Sequence, residues 1–199
     1  MNRNLRRKYQ SKLLFNENSN AISSNFIIKT NFHQSASKYF ELSNNNLTIK
    51  KTITHTEWFG AMCEHKLENG KVNEFSIKID FSERFFIYIG FTTTNTILNG
   101  DDHGYNEAKS SWMCNLSNGK FKNGGVSDLY FYENSDQNHL SPGTIYTICI
   151  DTKNDVIFLK RNCSEIGSKL KLQISSKQKN DLIPCVDLLE ENDQVSIII

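Results

Sequence analysis

"GTIYTICIDTKNDVIFLKRNCSEIG", Gly143 to Gly167, decides the fold class. Ile145, Thr147 and Cys149 fall on one side of an extended chain, and Tyr146, Ile148 and Ile150 on the other. Side chains on a strand alternate between faces with a period of two. A polar break follows at Asp151 to Asp155, then a second β-rich run from Val156 to Leu159. The stretch predicts two strands and a turn, with Ile148, Ile150, Val156 and Phe158 as core candidates. It carries no catalytic motif, so function has to lie on what the scaffold holds.

The same texture spreads outward. "NEFSIKIDF" puts Phe75, Ile77 and Ile79 on one face. "RFFIYIGFTTT" is more continuously apolar, as for a strand covered on both sides. Asn44-Asn45-Asn46, Asn69-Gly70 and Asn118-Gly119 read as turns, the second as a hairpin turn with both residues at positive φ. Trp112 reads as core, and Cys114 and Cys149 as small buried hydrophobes. No helical period appears beyond the N-terminus. Many short strands with polar turns predict an all-β, two-sheet antiparallel sandwich over 25–199.

Residues 1–24 form a separate basic arm. Arg3, Arg6, Arg7, Lys8 and Lys12 precede the first acid, Glu17, and Leu5, Tyr9 and Leu13 would share one helical face. Three readings stand open: a solvated terminus, a mitochondrial targeting segment, and a docking element for an acidic partner.

Composition bounds the partners. The chain has 199 residues and a formal net charge of +1, so no overall charge pulls it toward nucleic acid or anionic lipid. No apolar run approaches the ~20 residues of a membrane span. The five cysteines, Cys63, Cys114, Cys149, Cys163 and Cys185, are scattered without a CxxC, which points away from zinc and toward a reducing compartment. No metal or cofactor is expected. The Asn-, Lys- and Ile-rich composition suggests an AT-rich genome such as a protist's.

Several pieces in order resemble a SPRY domain, the core of B30.2 modules. They are "YFELSNNNLTIKK", "NEFSIKIDF", "FFIYIGFTT" with Ile89-Gly90, "SSWMCNLSNGKF", the opening hairpin and "LIPCVDLLEENDQVSIII". The resemblance covers about residues 39 to 199. Two turns depart from the family pattern: Gly143-Thr144 stands for its Gly-Asp, and Asn162-Cys163 for its Asn-Gly. The resemblance implies a bent two-sheet sandwich that binds a peptide or protein surface through loops at one end, without catalysis. SPRY relatives that carry a SOCS box use a Tyr before the Ser-Trp segment and a loop after the Pro-bearing strand. The matching positions are Tyr105, with Asp101, Asp102 and His103 before it, and Leu189, Glu190, Glu191 and Asn192. Tyr105 is expected as an exposed loop aromatic whose removal costs little stability.

This implies an adaptor or subunit of a larger assembly with a protein partner, cytoplasmic and cytoskeletal or ciliary, with a mitochondrial accessory subunit as alternative. The other class is an enzyme, using Asp101, Asp102 and Glu107 as paired carboxylates, as in glycoside hydrolysis.

Overall fold

The computed structural model describes residues 25–54, 57–84, 86–96, 104–124, 126–132 and 140–199. Its strands are β1 (Phe26–Ile27), β2 (Phe40–Ser43), β3 (Thr48–Lys51), β4 (Phe59–Met62), β5 (Val72–Phe81), β6 (Ile87–Thr93) and β7 (Ser111–Asn115). β8 (Lys120–Asn123), β9 (Val126–Tyr130), β10 (Ile145–Asp151), β11 (Val156–Arg161), β12 (Ser164–Lys171), β13 (Leu182–Leu188) and β14 (Gln194–Ile198) follow. Helix among the described residues is confined to short pieces, two of them 3-10 turns at Gln34–Lys38 and Tyr105–Glu107. The third is α1 (Ser176–Lys179), where Ser175 and Gln178 form a reciprocal capping box.

Two sheets result. One runs β12-β11-β10-β5-β14-β3-β2, with β1 added parallel to β5; the other runs β4-β13-β6-β7-β8-β9. All pairings but that of β1 are antiparallel. The core lies between the sheets. Phe75, Ile77 and Ile79 of β5 are buried as their alternation predicts, and β6 is buried along its whole length. Trp112, Cys114 and Cys149 are buried too. Each large apolar side chain so buried stabilises the fold by roughly 1.5–3 kcal/mol.

The opening hairpin holds, but its register corrects the core. Ile148 pairs with Leu159 and Ile150 with Ile157, so those four share the inner face. Val156 and Phe158 therefore point outward and are half-buried. The Phe158 ring lies under the ammonium groups of Lys169, at 4.7 Å, and Lys160, at 5.9 Å. A second correction concerns Asn69-Gly70. Only Gly70 has positive φ, and the turn does not close a hairpin, because β4 and β5 belong to different sheets.

The asparagine turn is borne out in an unusual form. Asn44, Asn45 and Asn46 all take left-handed backbone, at φ of 52°, 54° and 60°, which asparagine tolerates better than most residues. Between β11 and β12, Arg161 pairs with Ser164, leaving a two-residue turn at Asn162 (φ 47°) and Cys163 (φ 68°). Such turns favour glycine. Cys163→Gly is expected to stabilise the protein by about 0.5–1 kcal/mol, the left-handed strain relieved less the extra entropy of glycine. A raised urea midpoint at unchanged slope is the check.

Candidate interaction surface

The site is built around one residue that the sequence reading passed over. Lys51 ends β3 and is 0% exposed. The parity is plain afterwards: Ile49 points into the core, and Lys51 lies two residues on. Its ammonium donates to the carbonyl oxygens of Glu57, at 2.8 Å, and Leu189. It also sits 4.9 Å from the centre of the Phe59 ring. Burial pulls its pKa below the usual lysine range; Asp193, Glu190, Glu57 and Glu191 pull the other way.

That ammonium organises the turn from β13 to β14. The Lys51 N–H donates to the Asp193 carbonyl at 3.0 Å, and the Lys51 carbonyl accepts from the Asn192 N–H at 2.9 Å. Asp193 is buried and its pKa is raised by burial, against several hydrogen bonds that favour the ion. One carboxylate oxygen accepts from the Glu190 N–H at 3.0 Å and the other from the Glu83 N–H at 3.2 Å. Glu83 belongs to the β5–β6 connection, so two loops distant in sequence form one surface. Arg84 adds an ion pair to Glu190 at 3.6 Å. Phe81 and Phe86 flank this connection and are 47% and 37% exposed. Of the expected loop residues, Glu190 is buried, Leu189 and Glu191 are half-buried and Asn192 is exposed.

Tyr105 departs from expectation: it is 6% exposed. Its chain segment folds across the outer face of the six-stranded sheet. Asp187 of β13, fully buried, accepts the N–H groups of Tyr105 at 3.0 Å and Asn106 at 2.7 Å. The ring packs with Tyr88, Met113 and Cys185, and Trp58 meets Tyr88 edge-on at 4.8 Å. A side chain on Gly60 would collide with the Tyr105 ring, so glycine there is what lets the ring seat. Burial pushes the phenol pKa upward. Asp187 thus links the two halves of the expected site, since Leu189 follows two residues later. Asp101, Asp102, His103 and the arm residues Arg3, Arg6, Arg7 and Lys8 lie outside the described residues.

Asp187→Asn keeps one acceptor oxygen but strips the other N–H of its partner. It is expected to cost about 1–3 kcal/mol, the penalty of one unsatisfied buried donor. Denaturant unfolding would show it, with faster amide exchange at Tyr105 and Asn106. Wild-type exchange there would mean that Asp187 does not hold the segment.

No family model matches the sequence, and no curated protein matches it. Solved structures do. The TRIM65 PSpry domain superposes with a TM-score of 0.63 at 10% identity, over 87% of this chain and 94% of that one. The SPRY domain of human HERC1 gives 0.60 at 14% identity, over 83% and 96%. The chain has a SPRY-like fold. A further human SPRY domain gives 0.59 at 16% identity, over 80% and 94%. The segments that resemble a SPRY domain in the sequence become its strands: "FFIYIGFTT" carries β6, the opening stretch β10 to β12, and "LIPCVDLL" β13. No three His, Cys, Asp or Glu side chains gather as a metal-holding group among the described residues.

Proposed function

We propose that this protein is a non-catalytic protein-interaction module, an adaptor or binding subunit of a larger assembly. The observation that carries the reading is the paired surface of 81–84, 86 and 189–193. Buried Lys51 and Asp193 clip its two loops together, and the loops present two exposed phenylalanines beside Glu83, Glu191 and Asn192. Rigid apolar anchors rimmed by charge are what a protein partner grips. The acids favour a basic or Asn-rich partner. Tyr105 packs on β13 beside Asp187, two residues before Leu189. The arm at Arg3, Arg6, Arg7 and Lys8 supplies a second contact, to an acidic surface. A reducing, cytoplasmic setting suits five free thiols, four of them buried.

The test is affinity capture on the full tagged chain with quantitative mass spectrometry. Phe86→Ser with Glu191→Lys should lose the proteins that the wild type holds. Lys171→Glu, on the far edge strand, should keep them. Equal capture by all three places the partner surface elsewhere.

A further inference from the structure

The outer face of the six-stranded sheet carries a row of sulfur. Register puts Met62 of β4 opposite Cys185 of β13, Cys185 opposite Gly90 of β6, and Gly90 opposite Met113 of β7. Four neighbouring strands present a thioether, a thiol, a gap and a second thioether in line. Directly opposed residues share a face, with Cβ atoms about 4.5–5.5 Å apart, a spacing that a methionine side chain spans. Gly90 makes the gap. A Cβ there would lie 2.7 Å from the Met113 Sδ, so the thioether crosses this strand because glycine leaves it room. The Met113 Sδ comes to 3.3 Å from the Cys185 Sγ, two strands away.

The surroundings are dry and soft. Met113 and Cys185 are 0% exposed, and Tyr88 and Tyr105 pack against them. Among the described residues, the partner that the Cys185 thiol meets is the Met113 thioether, a weak acceptor. The nearby Asp187 carboxylate is taken up by the N–H groups of Tyr105 and Asn106. Trp58 and Met62 complete the cluster and are half-buried, so Met62 is where solvent approaches the row. Thiolate and thioether donors without carboxylate or imidazole select copper(I) over harder ions. Charge favours the same ion. One thiolate and a monovalent cation sum to zero, whereas a divalent ion would leave net charge buried among apolar rings. A search for cysteine and histidine spacing misses such a group, because two of its donors are methionines.

We propose that Cys185, Met113 and Met62 form a binding site for copper(I). On binding, the Cys185 Sγ gives its proton to water and bonds the ion as a thiolate, and each thioether donates a lone pair. No electron is transferred. The bound ion ties β4, β13 and β7 together beneath the Tyr105 ring.

The experiment uses the full chain in a Cys163→Ser background, which removes the one exposed native thiol. Copper(I) is titrated without oxygen against a chromophoric copper(I) chelator, and X-ray absorption reads the ligand shell of the product. The chain should take one copper from the chelator, with sulfur alone in the shell and a raised Tm. Zinc(II) should leave Tm unmoved. Cys185→Ala should abolish binding. Met113→Leu and Met62→Leu nearly conserve volume, so the copper-free variants should melt close to the parent. Each should remove a sulfur from the shell. Nitrogen or oxygen in the parent's shell overturns the proposal, as does copper held equally well by Cys185→Ala. A shell unchanged in both methionine variants does the same. Copper bound by the native chain but not in the Cys163→Ser background also overturns it, by placing the ion at the exposed turn. If Cys185→Ala does not fold, the parent's shell and the two methionine variants decide alone.

Discussion

Lys51→Met is expected to cost about 3–5 kcal/mol, the range for removing one partner of a buried charge cluster. Methionine fills nearly the same space, so a cavity is not the cause. What is lost is the ammonium that the carbonyls of Glu57 and Leu189 accept from, and the cation that balances Asp193 and Glu190. Those carboxylates would then share a buried turn in which Glu190 keeps its ion pair to Arg84, itself on the surface. The turn should loosen before the sandwich does, because the lost ammonium held the Leu189 carbonyl, and only the backbone pairs of Lys51 with Asn192 and Asp193 then remain to hold it. Guanidinium melts should show the lower stability, and amide exchange should rise at Leu189 to Asp193 first. Adding Asp193→Asn should recover part of the loss, since the two residues are coupled. Lys50→Met, one residue earlier and half-exposed, should change stability by no more than about 0.5 kcal/mol. If both lysine variants melt alike, the cluster does not hold the turn.

The sheets were legible because strand alternation is a local signal. Phe75, Ile77 and Ile79 show their face within five residues, and Asn44 to Asn46 show a turn within three. Facing was harder wherever apolar residues run together. Val156, Ile157, Phe158 and Leu159 fit the core in either parity, and what selects one is the turn: Asp151 pairs with Val156, which sends Ile157 and Leu159 inward. Asn69-Gly70 showed a bend but not that the next strand joins the other sheet. At the site, Leu189 to Asn192 could be found by resemblance, but not the partners that fix them. Glu83 lies 110 residues from Asp193, and no pattern around either announces the other. Lys51 was readable from Ile49 by parity alone, and a lysine at an inward position is a signal in its own right.

Tyr105 and Phe158 provide the sharpest contrast between a local reading and the packed structure. Read locally, one is a loop aromatic among polar residues and the other a strand aromatic flanked by aliphatics, and the expected costs of truncation follow that order. Packing reverses it. Tyr105→Ala removes a buried ring from between Gly60, Tyr88, Met113 and Cys185, in a segment pinned at both ends. Asp187 holds its N–H, and the Ser111 hydroxyl donates to its carbonyl at 2.5 Å. Little can collapse into the space, so the loss should be about 3–5 kcal/mol. Phe158→Ala removes a half-buried ring from the outer face, where two lysine stems still cover the strand, and should cost about 1 kcal/mol or less. Denaturant melts of the two variants decide this: equal costs, or the larger one at Phe158, would mean that Tyr105 is not seated on the sheet. Tyr105→Phe separates packing from the hydroxyl, because it keeps the ring and should retain most of the stability. Partner capture should follow the same split. It should fall with Tyr105→Ala, through the loosened hold on Asp187 two residues before Leu189, and persist with Tyr105→Phe.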